Sequence, residues 1–204
     1  MPELKRTRSE IKREAIIEAA KKAFQADGVK NTSMDKIAEI AQVSKRTVYN
    51  HFKTKEELVM HIITELWNQV MVQNDFKYQP DVSLSAQLSE LVKTQIDLVS
   101  CEGYINLTRV AFGYFLYHPE ELKKEIDKFL VEETVLHRWL ADAIKDNKLK
   151  PHDPETGVKQ LHNLIKGICY WPQFLGIEPI CNEEDKLALT EQTVTMFLSC
   201  YKAD

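Results

Sequence analysis

Between Lys45 and His51 the chain places an ammonium, a guanidinium, a hydroxyl, a phenol and an amide in one short stretch, KRTVYNH. At about 100° per residue, Val48 and Phe52 lie about 40° apart on one side of a helix. The opposite side is then centred on Arg46 and Asn50, with Thr47 and Tyr49 on its flanks. Such a face can hydrogen-bond base edges and phosphates, since arginine pairs with guanine and asparagine with adenine. A solvated helix face is the alternative reading. Glu57/His61 and Glu133/His137 are spaced i,i+4 and could in principle share a metal, or act as acid and base in the second case. The chain has no Glu-x-x-His pair, no glycine-rich phosphate loop, no nucleophile elbow and no His-Glu-x-x-His run. No metal, no cofactor and no catalytic residue is expected.

The elements that would present the basic face are legible around it. Thr32 to Phe52, TSMDKIAEIAQVSKRTVYNHF, reads as two short helices joined by a turn. Ile37, Ala41, Val43, Val48 and Phe52 supply a minimal core, and the small Ala38 lets the helices approach. Ser33 and Ser44 are candidate N-caps. Ahead of them, Thr7-Arg8-Ser9-Glu10 is a capping box opening a helix with Ile16, Ala20, Ala23 and Phe24 on one face, ending at Asp27-Gly28. After them, Thr54-Lys55-Glu56-Glu57 is a second capping box that starts a long helix reaching about Tyr78. Helical patterns continue over 84–101, 104–117, 119–147, 154–177 and 183–202, with Asn182 as cap of the last and a kink or break expected at Pro172. About nine helices and no strand make an all-α fold.

Taken as a total, the net charge of −4 speaks against a nucleic-acid partner. The total hides a segregated distribution: residues 1–53 carry +5 and residues 54–204 carry −9. A basic head on an acidic body is the footprint of a chain that meets phosphate at one end. The longest uncharged run, Gly167 to Ile177, has 11 residues, short of the roughly 20 that a membrane helix needs. No signal peptide is expected from the polar, basic Met1 to Arg8. Cys101, Cys169, Cys181 and Cys200 form no Cys-x-x-Cys pair and are expected to be reduced thiols of a cytoplasmic protein.

VSKRTVYNHFKTKEEL, Val43 to Leu58, closely resembles the helix-turn-helix signature of the TetR family of transcriptional regulators, and the preceding IAEIA fits as well. Gln42 departs from the pattern, standing where the family usually has glycine in the turn; a side chain at positive φ there costs on the order of 1 kcal/mol. The resemblance implies that Lys45, Arg46, Thr47 and Asn50 face base edges in the major groove. It places Tyr49, His51, Lys55 and either Thr32 or Ser33 on phosphates. Lys5, Arg6 and Arg8 would form an arm in the minor groove, or else an untethered solubilising tail. The domains implied are 1–54 for double-stranded DNA and 55–204 for ligand binding and dimerisation.

In the second part, Arg109-Val-Ala-Phe, His118-Pro119-Glu-Glu-Leu, Lys166-Gly167 and Trp171-Pro172 resemble an AefR-type C-terminal domain. Aromatic side chains are dense there. An effector pocket is expected from Met71, Phe112, Phe115, Trp139 and Trp171, with Arg109 or His137 as polar anchor. The last helix shows two apolar stripes, Leu187/Thr190/Val194/Leu198/Tyr201 and Leu189/Thr193/Met196/Cys200, and a surface helix needs only one. A homodimer interface is expected from Leu161, Ile165, Ile168, Leu189, Thr193, Met196 and Cys200, with a wholly buried monomer helix as alternative. The whole reads as a repressor released from a palindromic operator by a hydrophobic or amphipathic small molecule, with no membrane partner. An architectural DNA-binding module without a ligand, or an all-α enzyme using the second part's cavity, remain as other classes.

Overall fold

The computed structural model describes residues 7–120, 123–124, 133–151 and 153–203, with Tyr114 described by its backbone alone. Among them are ten α-helices: α1 Arg8–Asp27, α2 Met34–Ile40, α3 Lys45–His51, α4 Lys55–Trp67, α5 Leu84–Val99, α6 Glu102–Phe115, α7 Val135–Lys145, α8 Pro154–Cys169, α9 Trp171–Phe174 and α10 Glu183–Tyr201. No strand occurs among the described residues; the single isolated bridge pairs Leu149 with Lys202. The all-α expectation holds.

The chain forms two compact units. One comprises residues 1–65 and 106–125, the other 66–105 and 126–204. In the first, Ile16, Ala20, Ala23 and Phe24 of α1 close over Ile37 and Ala38 of α2, Val48 of α3, Phe52, and Leu58 and Ile62 of α4, all buried. In the second, α5 packs on α8 and α10, and α7 packs on α8. Leu88, Val92 and Ile96 of α5, Leu140 of α7, Leu161 and Ile165 of α8 and Val194 of α10 fill that core.

Local chemistry sets the helix ends. Thr7 accepts from the Glu10 N–H while the Glu10 carboxylate accepts from the Thr7 N–H, the reciprocal box expected. Ser33 and Ser44 cap α2 and α3 through the N–H groups of Lys36 and Thr47. At α4, Thr54 accepts from the Glu57 N–H, but the Glu57 carboxylate reaches past Thr54 to the Lys53 N–H. The helix predicted over 54–78 is shorter: α4 stops at Trp67 and passes into a π-helical turn, Asn68–Val72. Arg138 holds the far side of that turn, donating to the Val72 and Asn74 carbonyls at 3.1 and 2.8 Å.

Pro172 breaks its helix as expected, and Tyr170 takes the non-helical conformation between α8 and α9. Without an N–H, Pro172 leaves the Ile168 carbonyl unanswered in the helical ladder. The buried Gln173 amide takes its place, donating to Ile168 O at 3.2 Å. Of the helix expected over 119–147, residues 121–122 and 125–132 lie outside the described residues. The later part begins only after Thr134, which caps α7 reciprocally with His137.

Two non-glycine residues have positive φ, Gln42 (54°) and Asn147 (56°), and both sit one residue beyond a helix C-cap. Each builds the same closing motif. Gln42 N–H donates to Glu39 O and Val43 N–H to Ala38 O, and Asn147 and Lys148 repeat the pattern on Ile144 and Ala143. Asparagine tolerates this backbone better than glutamine does. Gln42→Gly is therefore expected to stabilise the protein by about 0.5–1 kcal/mol, the steric gain less the entropy that glycine loses. An equilibrium urea titration checks it, and an unchanged or lower midpoint would show that Gln42 is not strained.

Candidate nucleic-acid interface

Helix α3 has seven residues, too few to persist alone in water. It is held by Val48, fully buried, and by Phe52 at its C-cap. The Arg13 guanidinium carbon lies 4.8 Å over the Phe52 ring, while the Arg13 nitrogens meet the two ring nitrogens of His61 at 3.1 and 3.4 Å. The Arg13 stack thereby ties α1, the end of α3 and α4 together. Sequence reasoning missed Arg13, because its partners lie 39 and 48 residues away, and nothing local marks it. The Glu57 carboxylate accepts from the Lys53 N–H at 2.8 Å.

With the inward side committed, the outward side is what the spacing predicted. Lys45, Arg46, Tyr49 and Asn50 are exposed, and Thr47 and His51 are half-buried. The Thr47 hydroxyl lies 2.8 Å from the Ser44 hydroxyl. Lys45 donates to Asp35 of α2 at 2.9 Å and stands 5.9 Å from the centre of the Tyr49 ring. The hydrogen bond to the Asp35 carboxylate raises the Lys45 pKa. Both members of the pair are exposed, so exchanging Asp35 for a base or phosphate costs little.

Two of the residues assigned to phosphate have other work. The Thr32 side chain is buried, and its hydroxyl donates to Gly28 O at 2.9 Å and Ala23 O at 3.3 Å. Of the two candidates there, Ser33 is the exposed one. The Lys55 ammonium donates to three carbonyls, Val29 at 2.9 Å, Thr32 at 3.1 Å and Lys30 at 3.4 Å. An ammonium has three donors, and all three are spent on the loop between α1 and α2. Lys55 thus pins the α1–α2 loop onto the start of α4. Tyr49 and His51 remain on the accessible face. Arg8 is exposed in the first turn of α1; Lys5 and Arg6 lie outside the described residues.

Comparison with known proteins matches two family models. Residues 16–62 match the bacterial regulatory proteins of the tetR family, and residues 86–203 match the C-terminal domain of AefR-like transcriptional repressors. The second match covers more than half of the chain. This chain belongs to the TetR family of transcriptional regulators. A TetR family transcriptional regulator from Pseudomonas syringae pv. tomato is 34% identical, with 94% of this chain and 97% of that one covered and a TM-score of 0.71. The HTH-type regulator YhgD of Bacillus subtilis is 28% identical over 71% of this chain and 75% of its own length. The HTH-type regulator LuxR of Vibrio harveyi is 28% identical over 81% and 80%.

The second half of this TetR-family chain departs further from the sequence expectation. Trp139, expected in the effector pocket, is core: it is fully buried and its indole N–H donates to Gln87 at 3.2 Å. Gln87 in turn binds the backbone of Gln79 and Val82. His137, the alternative polar anchor, caps α7 through Nδ1 and meets Glu155 through Nε2 at 2.7 Å. Arg109, Phe112 and Phe115 belong to the first unit, with Arg109 donating to Asn106 at 3.2 Å. Met71 is buried in the π turn, and Trp171 is exposed with its ring edge-on to Tyr170 and Phe174.

The dimer residues divide as well. Leu161, Ile165, Leu189 and Thr193 are buried within the protomer's own core, where they cannot also form a surface. Helix α10 buries one stripe, Leu189/Thr190/Thr193/Val194/Phe197, which runs between the two stripes read from sequence. Ile168 (51% exposed), Met196 (55%), Leu187 (57%) and Cys200 stay on the outside.

Replacing Lys55 with methionine strands three carbonyls at the base of α4. It is expected to destabilise the protein by about 1–3 kcal/mol in a urea titration. A midpoint equal to wild type would show that these bonds carry no stability.

Proposed function

We propose that this TetR-family protein is a cytoplasmic repressor that binds a palindromic double-stranded operator as a homodimer and leaves it when a small amphipathic molecule binds. The observation that carries the reading is the α3 surface: Arg46, Tyr49, Asn50 and Lys45 are exposed on a helix whose other side is fixed by Val48 and Phe52. Arg46, Lys45, Asn50 and Thr47 are the base contacts, and Tyr49, His51 and Ser33 the phosphate contacts. Arg8, together with Lys5 and Arg6, forms the minor-groove arm. The family resemblance over both parts supports a division of labour near residue 54, with DNA on one side and effector and dimer on the other.

Two-fold symmetry would set two α3 helices on half-sites about one helical turn apart or a multiple of it. The outward apolar remainder on α8 and α10, Ile168, Leu187, Met196 and Cys200, is the surface that a second copy would cover. Release requires that the effector bind the DNA-incompetent arrangement more tightly, because equal affinity shifts nothing. Helix α4, which starts at the Lys55 tie and ends at the π turn, is the element through which the effector acts.

A gel-shift titration on selected DNA separates the roles. Arg46→Ala should relax preference at particular base pairs, at about 1–3 kcal/mol each. Tyr49→Phe should weaken binding by a similar factor on every sequence, since phosphate contacts carry no sequence information. Binding left intact by both substitutions would remove α3 from the interface.

A further inference from the structure

At the point where α4 ends, four side chains of the second unit converge. Trp67, the last residue of α4, stacks edge-on with His162 at 5.5 Å between ring centres. The Lys166 ammonium lies 5.6 Å from the Trp67 ring and 5.8 Å from the Tyr170 ring. Lys166 and His162 are one helical turn apart on α8. Both are set deep enough to be desolvated, yet both keep part of their surface accessible. Both side chains are therefore half-buried, with their polar ends set against aromatic rings and not sealed in the core.

Among the described residues, no carboxylate pairs with Lys166. Glu155, the acid nearest in effect to His162, is already held by His137 at 2.7 Å and Lys159 at 3.1 Å. Burial lowers the Lys166 pKa, and burial together with the Lys166 charge drives His162 down to about 3. At neutral pH the imidazole is therefore uncharged and can only donate or accept a hydrogen bond. The aromatic faces offset part of the cost of a partly desolvated ammonium, and a half-buried charge with no carboxylate beside it still carries a cost.

Resting on the effector-responsive reading above, we infer that Lys166 is the anchor for an effector that carries one carboxylate on an apolar body, with Trp67 and Tyr170 flanking the carboxylate and His162 beside it. A single ammonium suits a monoanion. A phosphate would call for the arginine fork or several donors, and no arginine belongs to this cluster. The position gives the charge leverage, because Trp67 is the residue at which α4 turns into the π-helical segment, a type of irregularity often found at functional sites.

The test uses the full-length protein with decanoate and decanamide, 3-phenylpropanoate and 3-phenylpropanamide, and inorganic phosphate, read by tryptophan fluorescence and thermal shift. At least one acid should bind about tenfold or more tightly than its own amide, and phosphate alone should not bind. Lys166→Met should bring acid and amide level while leaving the free protein as stable as wild type or more so, since a half-buried charge with no carboxylate beside it is removed. Equal binding of acid and amide by wild type, no response to either acid, or an acid preference surviving in Lys166→Met would overturn the assignment. A Lys166→Met protein that is markedly less stable would also count against it, marking Lys166 as a structural clamp. Release of selected DNA by the amides and not by the acids would refute the anion while leaving the DNA-binding regulator intact.

Discussion

Seven-residue helices are not stable by themselves in water, and both helices of the DNA-reading motif have that length. The chemistry of α3 therefore exists only because Val48 and Phe52 are buried against α1, α2 and α4. Once those two side chains are fixed, the 3.6-residue period decides which groups look outward. Arg13 stacked on Phe52, Lys55 on three loop carbonyls and Thr32 on two more are the bonds that keep this small core in one arrangement. Function at the surface is a consequence of polar groups spent inside.

The same accounting separates what the sequence could show from what it could not. Caps were legible because their partners are three residues away: Thr7 with Glu10, Ser44 with Thr47 and Asn182 with Asp185 all form as read. The Thr134–His137 box was not, because its reciprocal acceptor is a histidine instead of the usual glutamate or glutamine. The outward face of α3 was legible from period alone. Lys55 and Thr32 misled because residue type reveals a donor but not its acceptor, and the acceptors of Lys55 lie 23 to 26 residues back in the chain.

The body was harder to read for a related reason. Trp139 and Trp171 look alike in sequence, yet one is sealed beside Gln87 and the other faces outward. On α10, two apolar stripes suggested two partners, but the threonines Thr190 and Thr193 are buried with Leu189, Val194 and Phe197 in one stripe between them. Thr190 satisfies its hydroxyl on the Lys186 carbonyl, so it behaves as an apolar residue toward the core. Pro172 announced a break correctly, but the buried Gln173 that repairs it could only be seen in three dimensions. A net charge of −4 concealed the basic head altogether until it was divided along the chain.

These elements together support the proposal that the exposed side of α3 reads DNA, twice per assembly. Selection of genomic fragments by the full-length protein, followed by footprinting of the enriched sequence, addresses that claim most directly. The account predicts an inverted repeat with half-sites about one helical turn apart, or a multiple of it, and equal protection on both halves. Fragments without a shared consensus, or a single unrepeated half-site bound by one copy, would contradict it.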